Sequence, residues 1–195
     1  MIENIKYWEY EFFLWLNSHH SPFWDSVMII ATHRFTWIPL YILIIVYIFI
    51  EKKSEAFNFK NGLNPIKVKF LRLVYIIASV GLADRFTSGF MKPYFERLRP
   101  CHDPTVSNVL HLVGNCGGQY GFASSHASNS FALALCFYLL YRKTNKYSWV
   151  LFIWAAIVSY SRVYIGVHYP TDILVGAIVG MLISIGGFML FSYKR

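Results

Sequence analysis

The chain has 195 residues, of which 56% are hydrophobic, 19% aromatic and only 14% charged, whereas a soluble domain carries about 25% charged residues. That composition excludes an ordinary soluble domain and predicts an all-α, polytopic membrane helical bundle of about five to six transmembrane helices, forming one integral membrane domain over residues 1–195. The net charge of +8 does not point to nucleic acid, because it gathers in two loops and the tail (Lys52, Lys53, Lys60, Lys67, Lys69 and Arg72; Arg142, Lys143 and Lys146; Lys194 and Arg195), the bias that orients membrane proteins with basic loops inside.

Residues 1–18 place Ile2, Ile5, Trp8, Phe12, Trp15 and Leu16 at helical spacing, with Glu3, Lys6, Glu9 and Glu11 mostly elsewhere on the wheel. They read as an interfacial amphipathic helix, with a short sixth span as the rival. Glu3, Glu9 and Glu11 stand where a signal peptide has its basic region, so no cleavable signal is expected. Residues 21–24, Ser-Pro-Phe-Trp, form a turn with aromatic anchors. The apolar run over residues 26–50 is interrupted at Thr32-His33-Arg34, which predicts a short helix, a break and then a span over residues 36–50. The basic segment 51–72 is expected in the cytoplasm. Spans then follow over residues 66–90 outward, 122–141 inward, 149–164 outward and 173–192 inward, where Gly176 and Gly180 have the spacing of close helix packing.

This alternation puts three polar segments on one face, opposite the basic loops. The first, residues 92–100, carries Lys92, Arg97 and Arg99 between Pro93 and Pro100; it is either a headgroup-binding loop or a phosphate clamp, in which Arg grips oxygens with paired N–H donors. The second contains Ser124, Ser125 and His126 where a span begins. A helix N-terminus offers unpaired N–H groups to an anion, and simple capping is the alternative. The third, residues 161–172, holds Arg162, His168 and Asp172 between apolar runs. Ionisable groups within a membrane cost roughly 2.5–3.5 kcal/mol each at its centre on the most lenient scale, so three together between apolar runs read as a functional site. Asp172 follows His168 by four residues, close enough to accept from one ring nitrogen and leave the other free as a base or nucleophile. Asp84 and Arg85 read equally as a clamp-steadying ion pair or a structural helix pair, Arg97 as rim charge, and His33 with Arg34 as an interfacial turn or a headgroup contact.

Lys92 with Arg99-Pro100, then Ala123-Ser124-Ser125-His126, then Ser161-Arg162 with His168 and Asp172, resembles the tripartite signature of the type 2 phosphatidic acid phosphatase superfamily. The likeness covers residues 84–172. The middle motif departs from the family's Pro-Ser-Gly-His, with Ala123 and Ser125 replacing Pro and Gly; Ser125 still presents its backbone N–H, so activity is expected to survive. The resemblance implies a phosphatase with no cofactor and no metal, in which His168 attacks phosphorus, Asp172 holds its tautomer and His126 protonates the leaving oxygen, then activates water. Lys92, Arg99, Ser124, Ser125 and Arg162 would bind the phosphate. The chain's few carboxylates near these motifs, Asp84 and Asp172, agree with the lack of a magnesium site.

Cys136 falls within a span. Cys101 and Cys116 bracket the outer loop, where a disulfide would close about 16 residues and contribute roughly 3 kcal/mol; free thiols, or a zinc site with His102 and His111, are the alternatives. The expectation is a multi-pass lipid phosphatase of a bacterial inner membrane with its site on the periplasmic side. It would act on a lipid phosphate, with undecaprenyl pyrophosphate first and phosphatidylglycerol phosphate, phosphatidic acid or lipid A as alternatives. A lipid-to-lipid phosphotransferase and a non-enzymatic transporter are the competitors from other classes.

Overall fold

The computed structural model describes residues 2–51 and 64–193, which are helical with irregular connections and, among those residues, contain no strand beyond one isolated bridge between Leu98 and Tyr120. Lys52, Lys53, Lys60, Lys194 and Arg195, part of the predicted charge bias, lie outside the described residues.

Helix α1 spans Ile2–Ser18. Helix α2, Pro22–Thr32, starts where sequence chemistry places a start: Ser21 caps it by accepting from the Trp24 N–H, Pro22 occupies its first turn, and Asp25 faces the positive end of the helix dipole. It stops at His33, whose extended backbone leads through a 3₁₀ turn, Arg34–Trp37, into α3, Ile38–Ile50, bent by 65° from α2. The Trp37 indole N–H donates to the Ala31 carbonyl at 2.8 Å, occupying an acceptor that the break would otherwise leave free. Helix α4, Pro65–Asp84, continues as a π-helical stretch, Arg85–Met91, and then as the short α5, Lys92–Phe95, which Glu96 ends with a positive φ of 45°.

The outer segment, residues 96–124, is held by backbone bonds from Arg99 N to Gln119 O and from Gly121 N to Arg97 O. Cys101 and Cys116 are joined in a disulfide with Cα atoms 6.0 Å apart. Helix α6, Ser125–Tyr141, is the centre of the molecule, with ten of its residues buried. Helices α7, Val150–Tyr164, and α8, Pro170–Tyr193, complete the bundle. A Cβ on Gly176 or Gly180 would run into the carbonyls of Ser124 and Ser128, so these two glycines let α8 lie directly on the α6 backbone. The main apolar core, including Ile48, Tyr75, Phe137, Leu140, Tyr141 and Trp154, fills the end of the bundle remote from the three polar segments.

Along α3, α4 and α8 large apolar side chains point outward, among them Leu43, Phe49, Ile77, Leu82, Leu174, Leu182 and Met189. Such a surface suits lipid as its solvent. By length and hydropathy, α8 passes as a membrane span alone over Pro170–Ser192, and α2 with residues 34–50 passes as a bent pair; α7 is apolar but shorter. Of the five to six spans expected from composition, the described residues therefore present one helix and one bent pair that are long and apolar enough to cross a bilayer. The other long helices fall short for two reasons: α6 has only 17 residues and carries Ser128 and Ser130, and α4 carries Lys67, Lys69, Arg72 and Asp84.

Candidate active site

Helix α7 brings Arg162 to its last turn, and the chain then reverses so that the Arg162 carbonyl accepts from both Val167 N and His168 N. Gly166 makes this turn at φ 81°, and a Cβ there would press on the Leu110 side chain and the His111 carbonyl. Pro170 opens α8, which puts Asp172 on its first turn, from where Oδ2 reaches back to the Tyr169 N–H at 3.0 Å and to His168 Nδ1 at 3.2 Å. The first contact closes a capping-box arrangement and the second fixes the ring. Asp172 is fully buried and His168 is 1% exposed.

The Asp172 carboxylate also accepts from Arg97 Nη1 on Oδ1 at 2.9 Å, so three donors converge on it. With that carboxylate as acceptor, Nδ1 of His168 carries the proton and Nε2 keeps its lone pair. Burial, reinforced by the charges of Arg162, Arg99 and Lys92, holds His168 well below the ordinary imidazole value, so the ring is neutral at neutral pH. Lys92, half-buried at the start of α5, is brought down to about 8 by burial and by the neighbouring charges of Arg99 and Arg162.

Arg99 is anchored from behind by the carbonyls of Tyr120 (Nε, 3.2 Å) and Cys116 (Nη1, 2.8 Å). Arg162 donates through Nη1 to Thr32 Oγ1 at 2.7 Å, while its buried Nε–H has no partner among the described residues. A buried, unpartnered guanidinium donor beside other cations is a place where an anionic oxygen would be stabilised. Ser124 caps α6, and its backbone N–H donates to the Asp172 carbonyl at 3.0 Å, locking the two first turns together. His126 stands on that turn within electrostatic reach of Arg162, His168, Lys92 and Arg99. These groups could hold a phosphate among cations, with a free imidazole nitrogen facing it.

Residues 69–195 match the PAP2 superfamily. The chain belongs to that superfamily. It is 35% identical over 193 residues to the lipid A 4'-phosphatase of Bacteroides thetaiotaomicron, covering 98% of this chain and 79% of that one. The undecaprenyl-diphosphatase BcrC of Bacillus subtilis is 27% identical over 177 residues, covering 91% and 78%. The fold resembles the crystal structure of a transmembrane PAP2-type phosphatidylglycerolphosphate phosphatase from Bacillus subtilis, with a TM-score of 0.65 at 21% identity over 98% of this chain and 88% of that chain.

As a PAP2 phosphatase this membrane protein is a hydrolase of phosphoric esters or anhydrides. Lys92, Arg99, Ser124, His126, Arg162, His168 and Asp172 gather at one end of the bundle. Ser125 differs: its hydroxyl lies 3.0 Å from that of Thr87 in the π-helical stretch. Arg85 is exposed and makes no ion pair with Asp84, whose carboxylate accepts instead from Asn129 Nδ2 at 2.9 Å. Arg34 is exposed over the Phe35 ring, 5.0 Å from its centroid. The suggested joining of His102 and His111 around the cysteines is not what forms: the cysteines are bonded to each other and His111 pairs with Asp25.

Three residues that the structure brings to this cluster escaped the motif reading. Arg97, taken as rim charge, bridges Asp172 to Glu9 (Nη2 to Oε2, 2.6 Å), also donates to Thr171 Oγ1 at 2.7 Å, and lies 4.4 Å from the Tyr169 ring centroid. Glu9, on α1, further accepts from the Thr171 hydroxyl. Its partners are far off in sequence, so no local signal marks it. Gly121 packs over the pair itself: a Cβ would sit 3.0 Å from Asp172 Oδ2, 3.2 Å from Arg99 Cγ and 3.5 Å from His168 Nδ1. Finally, a cleft of ≈ 690 Å³ runs between α3, α4, α6 and α7, apolar along Tyr41, Ile44, Ile77, Leu133 and Trp154, and ends at Asp84, His126 and Asn129.

Proposed function

We propose that the protein hydrolyses a phosphate monoester or pyrophosphate on a lipid headgroup through a phosphohistidine at His168. The observation carrying this reading is the buried His168 ring, anchored through Nδ1 on Asp172 and left with Nε2 free among Lys92, Arg99 and Arg162. Nε2 attacks phosphorus as the bond from phosphorus to the lipid oxygen breaks, and His126 gives that oxygen its proton. Water, deprotonated by His126, then attacks the phosphohistidine, releasing phosphate and the free imidazole. Charge on the transferring group is met by Lys92, Arg99, Arg162, the Ser124 hydroxyl and N–H groups at the start of α6, Ser125 N–H included.

The apolar cleft ending at His126 supports a lipid substrate, since a chain lying in it would bring its headgroup to the proton donor. Sequence reading alone put undecaprenyl pyrophosphate first. The 35% identity to a lipid A 4'-phosphatase over nearly the whole chain now favours a sugar-linked phosphate monoester of the lipid A class, with undecaprenyl pyrophosphate second on its 27% relative. Chain direction supports a multi-pass arrangement in a bacterial inner membrane. Helices α6 and α8 start at the site end and α7 finishes there, so Arg142, Lys143 and Lys146, beyond the far end of α6, stay cytoplasmic and the site faces the periplasm. The disulfide agrees with that compartment. Residues 1–18 lie at the outer interface within the same single domain.

Purified protein in detergent, assayed for phosphate release from lipid A, undecaprenyl pyrophosphate, phosphatidylglycerol phosphate and phosphatidic acid, is expected to give its highest kcat/KM on lipid A. Preference for the pyrophosphate would overturn the substrate assignment, label passing to a second lipid would favour transfer, and release from none would overturn the hydrolytic reading.

The profile of kcat/KM against pH should fall on its alkaline side as Lys92 loses its charge near 8 in the free enzyme. On the acid side it should hold below the pH at which an ordinary imidazole protonates, because His168 is depressed. Lys92→Arg is expected to move the alkaline limb upward, and an unchanged limb would remove Lys92 as its cause.

A further inference from the structure

Away from the phosphate cluster, three segments distant in sequence bring His20, Asp25 and His111 together. His20 lies in the turn after α1, Asp25 in the first turn of α2 and His111 in the outer segment. We infer that these three residues form a divalent-cation site of the zinc class, which clamps the outer segment to the α1–α2 turn. The inference does not depend on the hydrolytic reading.

The donor set is two imidazoles and a carboxylate, which suits zinc with a fourth position left to water. His111 Nε2 stands 3.0 and 3.1 Å from the two Asp25 oxygens, close to the roughly 3.3 Å that separates two ligand atoms on one tetrahedral zinc with bonds of about 2.0–2.1 Å. One ligand atom from each residue falls within 4.8 Å of the others. The His20 and His111 rings stack face to face with centroids 3.6 Å apart and planes 4° apart. The stack holds the two rings side by side, so a small rotation of either one changes which ring nitrogen faces Asp25. His20 is exposed in the turn after α1, where its side chain is free to rotate toward Asp25.

The surroundings hold the other two ligands as a metal site's supporting groups do. Tyr164 OH donates to Asp25 Oδ1 at 2.8 Å, and the His111 N–H donates to Asn17 Oδ1 at 2.6 Å, while Asn17 Nδ2 donates in turn to the carbonyls of His111 and Tyr164. The side chains of Asp25 and His111 are 23% and 27% exposed, open enough for an ion to reach them. The consequence is mechanical. The His111 carbonyl and Leu110 side chain press on Gly166, in the turn that delivers His168, so an ion fastening His111 would steady that turn without touching the substrate.

The other cluster of metal-ligating residues among the described ones, Cys101 with His102 and Cys116, is closed by the disulfide and supplies the competing outcome. The test uses the full chain purified without a histidine tag, stripped by chelator and dialysed against zinc chloride, with bound metal counted by mass spectrometry. Wild type is expected to retain about one zinc per chain and to unfold at a higher temperature with zinc than without. His20→Ala, at an exposed position that leaves the fold intact by circular dichroism, should weaken zinc binding about 100-fold, and Tyr164→Phe about 10-fold. Equal retention by His20→Ala and wild type, no retention by wild type, or zinc that appears only after reduction and disappears in Cys101→Ser would each overturn the site.

Discussion

Replacing His168 with alanine is expected to lower kcat at least about 10⁴-fold, because the nucleophile itself is removed and only electrostatic stabilisation of the phosphoryl group remains. Asp172→Asn should cost nearly as much, about 10³- to 10⁴-fold. The substituted amide keeps the shape but offers an N–H toward His168, which favours the tautomer with its proton on the attacking nitrogen. It also leaves Arg97 facing a neutral partner in a buried setting. The measurement is phosphate release together with a base-quenched count of phosphate covalently bound to the protein, since the phosphorus–nitrogen bond survives base and breaks in acid. Wild type should show labelled protein during turnover and His168→Ala none. His126→Ala, given a substrate whose leaving oxygen needs no proton, should form the labelled protein and fail to clear it. Substantial phosphate release by His168→Ala would sink the mechanism.

Arg162→Lys is expected to lower kcat/KM by about 10²- to 10³-fold, a size typical of losing a donor aimed at the transition state. Lysine keeps the charge but lacks the Nε–H that is buried without a partner, and it also lacks the planar fork that lets one guanidinium hold Thr32 while facing phosphate. Thr32→Val separates the two effects: it loosens the Arg162 anchor while leaving every donor in place, so its loss should be smaller and fall mainly on kcat. Steady-state kinetics on the best substrate of the lipid panel would decide. An Arg162→Lys enzyme within threefold of wild type would show that net charge alone suffices there.

Much of the helical framework could be read from the chain because the signals are local. Ser21-Pro22 starts α2, the His33-Arg34 interruption becomes the break before α3, Pro170 opens α8, and Gly176 with Gly180 mark where α8 meets α6. The span count was less legible. Helix α6 hides small polar residues in the bundle centre, where a hydropathy average counts them against a membrane setting, although Ser128 donates to the Ala83 carbonyl of α4 and Ser130 to the Ala127 carbonyl of its own helix.

The candidate site divides in the same way. His168 and Asp172 are four residues apart, so their pairing across the turn into α8 is a matter of local geometry, and Lys92, Arg99, His126 and Arg162 announced themselves as costly polar groups beside apolar runs. Arg97 did not, since its meaning depends on Glu9, Thr171 and Asp172 arriving from α1 and α8. Gly121 likewise acquires its role only when Asp172 and His168 come to lie against it.

By itself, then, the sequence determined the membrane composition, the helix starts and breaks, and the residue types able to meet a phosphate, because propensity, capping and charge cost act within a few residues of one another. Tertiary structure alone decided that Arg97 and Glu9 brace the buried carboxylate, that Ser125 turns toward Thr87, that an apolar cleft ends at His126, and that His20 stacks on His111. Those outcomes depend on segments tens to more than a hundred residues apart being packed to within a few ångströms, a condition no local pattern encodes.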